Sequence, residues 1–113
     1  MILIYVTYPD LNAAKKTVHS LLEKRLVACG NIIPGMNSIY RWQGKIEEAT
    51  EVIVIFKTQS HLYEECQSEI QKEHPYQVPC IIQWDIQKGS STYFAWLTEE
   101  TQPVSASLSH PQD

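Results

Sequence analysis

Hydrophobic positions along this chain change their period several times, and each change marks an element. Ile2 to Tyr8 is a run of β-branched and aromatic residues closed by Pro9-Asp10, the pattern of a buried strand. From Asn12 the spacing becomes helical: Ala14, Val18, Leu21, Leu22 and Arg25 recur on one side, and Lys15, Lys16, His19, Glu23 and Lys24 fall on the other. Asp10 or Asn12 supplies the cap. Val27 to Ile33 is apolar again, Pro34-Gly35-Met36-Asn37 interrupts it, and Ser38 to Trp42 resumes an extended pattern, so one long strand with a bulge or kink is expected. Gln43-Gly44 turns this strand into a hairpin whose return limb runs from Lys45 to Thr58.

Ser60 is expected to cap a second helix that reaches Glu73 through Leu62, Cys66, Glu69 and Ile70. His74-Pro75 ends it, because the residue before a proline avoids the helical region. Val78 to Ile86 is a further strand, and Ser90, Ser91 or Thr92 caps a short last helix that sets Tyr93, Phe94, Trp96 and Leu97 opposite Glu99 and Glu100. The order is an α+β one, βαββαβ with a short extra C-terminal helix. Two right-handed crossovers in such a chain give a ferredoxin-like sandwich, with both main helices on one face of an antiparallel sheet.

The other face then needs cover. Val52 to Phe56 is apolar at every position, which suits a strand buried on both sides. The hairpin from Ser38 to Thr58 is also longer than the first and last strands can flank, so its far end projects with Tyr40 and Trp42 exposed. Self-association into a closed ring meets both demands.

Composition narrows the partners. At 113 residues the chain has the size of one domain, and 43% hydrophobic residues with 19% charged ones put it among folded globular proteins. Residues 1–102 are expected to form that domain; from Pro103 to Asp113, Ser, Pro, Ala and Gln dominate and a flexible tail is expected. Nine Lys+Arg against thirteen Asp+Glu, a net charge of -4, leave no basic stripe for a nucleic-acid backbone. Met1 to Tyr8 has neither the basic leader of a signal peptide nor the length of a membrane span, so no membrane insertion is expected. Cys29, Cys66 and Cys80 are odd in number and widely spaced, with no Cys-x-x-Cys knuckle, which fits a reducing cytoplasm.

Candidate chemistry is sparse. No nucleophile with a spaced base, no phosphate-cradling glycine loop and no His-x-x-x-His pair occurs, so a binding protein and not an enzyme is expected. His74 reads either as a helix-ending residue favoured by the dipole or as a metal ligand. Cys29, between Ala28 and Gly30, reads as a small buried hydrophobe or as a metal-bound thiol. Tyr40 and Trp42 share one strand face and form a subunit contact or a stacking platform. Lys57 is a solvated cation or a partner for an anionic ligand, and Glu47, Glu48 and Glu51 form an acidic run that reads as a cation-attracting stretch or as a solubility feature near a turn.

Several segments together resemble the CutA family of divalent-cation tolerance proteins. They are Thr7-Tyr8-Pro9-Asp10, Leu26 to Gly35, Ser38-Ile39-Tyr40-Arg41-Trp42-Gln43-Gly44-Lys45-Ile46, Lys57-Thr58 and His74-Pro75-Tyr76-Gln77-Val78-Pro79. The likeness spans roughly Ile2 to Leu97 in order. It implies a ferredoxin-like subunit in a tight homotrimer, with the long hairpins pairing across subunits, and a role in tolerance of copper and other divalent ions. In the family's copper-binding pattern a first-strand cysteine joins two adjacent histidines before the Pro-Tyr; here those positions are Val6, Glu73 and His74. The resemblance thus points to a weaker divalent site on Glu73 and His74, completed by another subunit, with Cys29 the next candidate donor; Cu²⁺ is the ion to try first. The shape also resembles the trimeric PII signalling proteins, which implies as an alternative an anionic ligand in a cleft near Lys57 and Tyr76, or a structural trimer that anchors a protein partner.

Overall fold

The computed structural model describes residues 1–103. Its elements are β1 (Ile2–Tyr8), α1 (Leu11–Glu23), β2 (Cys29–Trp42), β3 (Lys45–Thr58), a single 3₁₀ turn (Ser60–Leu62), α2 (Tyr63–Glu73), β4 (Ile81–Asp85) and α3 (Ser91–Glu100). The expected tail, apart from Pro103, lies outside the described residues. Among the described residues no helix is long and apolar enough to cross a membrane.

The four strands form one sheet in the order β2-β3-β1-β4, and every neighbouring pair is antiparallel. Strand pleating sends alternate residues to opposite faces. Ile2, Ile4, Val6 and Tyr8 of β1 and Val52, Val54 and Phe56 of β3 therefore share one face. There they meet Ala14, Val18 and Leu21 of α1 and Cys66 and Ile70 of α2. Each fully buried aliphatic or Phe side chain in this layer contributes about 1.5–3 kcal/mol of transfer free energy. α1 comes close to the sheet at Gly30, where a Cβ would stand 2.9 Å from both Val18 methyls.

Caps place the helices. The Asp10 carboxylate accepts from the Ala13 N–H at 2.8 Å and fixes the start of α1. Arg25, at φ 57, ends the helix in the left-handed region, with Leu26 N–H bonded to Leu21 C=O in a Schellman arrangement. Ser90 caps α3 by accepting from Tyr93 N–H. Ser60 departs from expectation. It lies in the 3₁₀ turn, and α2 starts after Leu62 with no side-chain cap, because the short turn already bonds Leu62 N–H to Gln59 C=O.

The hairpin of β2 and β3 has 14 residues in each limb, joined at Gln43 and Gly44, whose φ values of 49 and 79 match a type I′ turn. β1 pairs only with Val52 to Thr58, so Lys45 to Glu51 and their β2 partners project beyond the sheet. Seven residues at about 3.3 Å each make this an arm about 23 Å long. The expected irregularity is a bulge: Ile33 pairs with Ile53 and Met36 with Glu51, so Pro34 and Gly35 stand against the single residue Val52. The extra residue shifts the phase of β2, and Tyr40 and Trp42 come to the same face as Met36. β4 is shorter than the expected run from Val78 to Ile86. Val78 and Pro79 instead belong to the loop after α2, since Pro79 has no N–H to give a ladder.

The second face of the sheet is half open. Tyr5, Ile53 and Ile55 are half-buried on it, while Ile33, Ile82 and Trp84 are 47%, 51% and 51% exposed.

Candidate functional site

The loop from His74 to Cys80 passes over the end of the sheet, and its geometry is set by one imidazole. His74 closes α2 through its N–H to Ile70 C=O at 2.9 Å, and its ring is buried. Tyr76 N–H donates to Nδ1 at 3.1 Å, so the ring proton sits on Nε2, which donates to Thr7 C=O at 2.7 Å. The ring stacks on Tyr8 with centroids 4.4 Å apart and lies 4.8 Å from Tyr76. Burial pushes the His74 pKa below its usual value. Beneath it the Tyr8 hydroxyl is buried without a well-formed hydrogen bond beside Thr17, and burial raises its pKa to about 12.

Beyond His74 the loop opens onto a groove of about 740 Å³ on the half-open face, walled by Tyr5, Met36, Tyr40, Trp42, Glu51 and Tyr76. The bulge makes this groove, because it turns Met36, Tyr40 and Trp42 toward it. The Tyr5 hydroxyl donates to Met36 Sδ at 3.5 Å. At its base the Tyr76 hydroxyl donates to Glu51 Oε2 at 2.5 Å, and Glu51 is 8% exposed. Burial, then the hydrogen bond to Glu51, pushes the Tyr76 pKa up. The Cys80 thiol on the groove wall is also pushed up, by burial and then by Glu51.

The residues expected to act together are spread out within one chain. Glu73 turns toward α1, where its Oε2 accepts from Ser20 Oγ at 2.6 Å, while His74 turns to Thr7. Cys29 is half-buried, its Sγ 3.6 Å from Asn31 Oδ1, and it pairs with Lys57 at the far end of the sheet from Thr7. Among the described residues no three His, Cys, Asp or Glu side chains gather into a metal-binding group. Lys57 and Tyr76 are separated as well: the Lys57 ammonium lies 5.7 Å from the centre of the Tyr93 ring, about 20 Å along β3 from Glu51, which Tyr76 touches. Tyr40 and Trp42, each 44% exposed, line the groove mouth on the projecting arm.

Glu51 was legible in sequence as one more acidic residue beside Glu47 and Glu48, yet it alone of the three is buried. The available signal was its position: it directly precedes the apolar run Val52 to Phe56, at the point where the partner strand breaks at Pro34-Gly35.

Comparison with known proteins agrees with this architecture. The divalent-cation tolerance protein CutA of Pyrococcus horikoshii is 45% identical over 102 residues, covering 90% of this chain and 99% of that protein. The human protein CutA is 40% identical over 104 residues, covering 92% of this chain but 58% of its own longer one. The solved structure of CutA from Archaeoglobus fulgidus, described as a periplasmic divalent cation tolerance protein, superimposes with a TM-score of 0.88 at 40% identity, over 90% of this chain and 100% of that one. A family model described as CutA1 divalent ion tolerance protein matches residues 2–100, and the chain belongs to that family.

Proposed function

We propose that this protein is a homotrimer of ferredoxin-like subunits, resident in the cytoplasm, that serves divalent-cation tolerance by binding and not by catalysis. The observation that carries the proposal is the half-open sheet face, where Ile33, Ile82 and Trp84 are each about half exposed beside the projecting arm. Apolar surface of that extent, next to an arm bearing Tyr40 and Trp42, favours burial against further copies. A cyclic arrangement lets each arm reach a neighbour, with Tyr40 and Trp42 at the contact.

Divalent ions enter this proposal between subunits. His74, Glu73 and Cys29 do not converge in one chain, so a coordinating set draws its donors from more than one protomer, and His74 gives up its Tyr76 contact to join it. Such a site is weak, since copper prefers gathered imidazole and thiolate groups. Calorimetric titration of the protein with Cu²⁺ tests it. Weak saturable binding is expected, reduced several-fold in Glu73→Gln and in His74→Ala; affinity in both variants equal to that of the native chain, or no binding at all, removes the site.

A further inference from the structure

Glu51 carries a charge that one chain leaves without a counter-ion. It is 8% exposed, with the Tyr76 hydroxyl donating to Oε2. Among the described residues no group donates to Oε1 and no Lys, Arg or His pairs with the carboxylate. No other charged side chain lines its groove. The groove lies on the sheet face assigned above to the contact between copies. Assembly therefore removes water from it, and a carboxylate taken out of water calls for an opposite charge on the surface that covers it.

The projecting arm carries such a charge. Residues directly opposite each other on two antiparallel strands point to the same face. Met36 pairs with Glu51, Tyr40 with Glu47 and Trp42 with Lys45, so Glu51 at the base and Lys45 at the tip share the groove face, about 20 Å apart along β3. Arg41 pairs with Ile46 and so takes the opposite face. Lys24 and Lys72 are engaged with Glu69 on the helices, and Lys57 lies against Tyr93. Lys45 is exposed and, among the described residues, has no ion pair.

We propose that in the assembly the Lys45 ammonium at the tip of one arm pairs with the Glu51 carboxylate at the base of its neighbour's arm. This pairing rests on the self-association proposed above and adds the contact that sets its register. A closed ring of head-to-tail contacts gives every base one tip, so no Glu51 is left over. Trp42, directly across from Lys45, enters with it and meets the Tyr5 and Tyr76 rings that flank Glu51. Glu47 and Glu48 are exposed and keep their water, so they gain little from the same lysine. The two ends of the arm complete one site that a single chain only half builds.

Subunit exchange tests it. Isotope-labelled and unlabelled full-length chains are mixed, and mixed assemblies are followed by native mass spectrometry, with circular dichroism on every variant. Lys45→Gln strands a buried carboxylate in the contact, so exchange at least tenfold faster than native is expected. Removing the second charge relieves that cost, because a buried pair replaced on both sides is far less harmful than one broken on one side. The double variant Lys45→Gln/Glu51→Gln is therefore expected to exchange within threefold of the native rate, whereas Lys45→Gln/Glu47→Gln stays as fast as Lys45→Gln alone. If the double variant at Glu51 fails to fold, Lys45→Gln, at an exposed position, still decides: exchange at the native rate overturns the pair. A double variant no slower than Lys45→Gln, or equal rescue by Glu47→Gln, overturns it too, and in each of these cases the assembly itself stands. A native chain that forms no assembly at all removes the self-association and the pair together.

Discussion

At the scale of single residues, His74 shows how a fold fixes the protonation state of a side chain. Nε2–H donates to Thr7 C=O and Nδ1 accepts from Tyr76 N–H, so a second proton on the ring displaces the Tyr76 contact in a buried place. With the folded pKa below the usual value of about 6.5, the unfolded chain binds more protons as pH falls through that value. Stability from this group is therefore complete above about pH 6.5 and is lost as pH drops from there toward the lower folded pKa. Thermal melting between pH 7.5 and 5 is expected to show this slope in the native chain and a shallower one in His74→Gln; identical slopes would contradict it. Gly30 is a steric counterpart. Its Cα faces the Val18 methyls so closely that Gly30→Ala forces α1 away from the sheet, a destabilisation of about 1–3 kcal/mol readable by urea unfolding.

Among elements, the bulge in β2 decides what the projecting arm presents. One extra residue at Pro34-Gly35 moves Tyr40 and Trp42 to the groove face, and side chains of a strand change face with a one-residue slip. Deleting Pro34 is expected to leave the base of the hairpin, Cys29 to Ile33 against Ile53 to Lys57, in place while turning both aromatics to the opposite face. Circular dichroism should then stay close to that of the native chain and the assembly should be lost; an intact assembly would show that the arm's phase does not matter. The elements themselves were largely legible in sequence, because hydrophobic period and turn chemistry act locally: Asp10, Gln43-Gly44 and Ser90 each do what their residue types favour. Boundaries that depend on tertiary contacts were not. Val78 and Pro79 look strand-like by composition but serve the loop over His74, and Ser60 looks like a cap but sits in the turn before α2. The groove was hidden for the same reason, since Glu51, Tyr5 and Tyr76 meet only after the sheet pairs and the loop folds across it.

For the whole molecule, the central relation is between a sheet closed by helices on one face and half open on the other. α1 and α2 bury Ile2, Ile4, Val6 and Tyr8, while Trp84 and Ile82 at the edge strand remain about half exposed with the arm beside them. Placing a charge at this surface costs the isolated chain little, because Trp84 is already half in water, but it puts an unpaired carboxylate into any subunit contact. Trp84→Glu is therefore expected to dissociate the assembly while keeping the fold. The most direct measurement is the mass in solution by sedimentation equilibrium. A chain of 13.0 kDa should sediment as a particle about three times heavier, and the Trp84→Glu variant as a single chain. A native protein that sediments at 13.0 kDa would contradict the account.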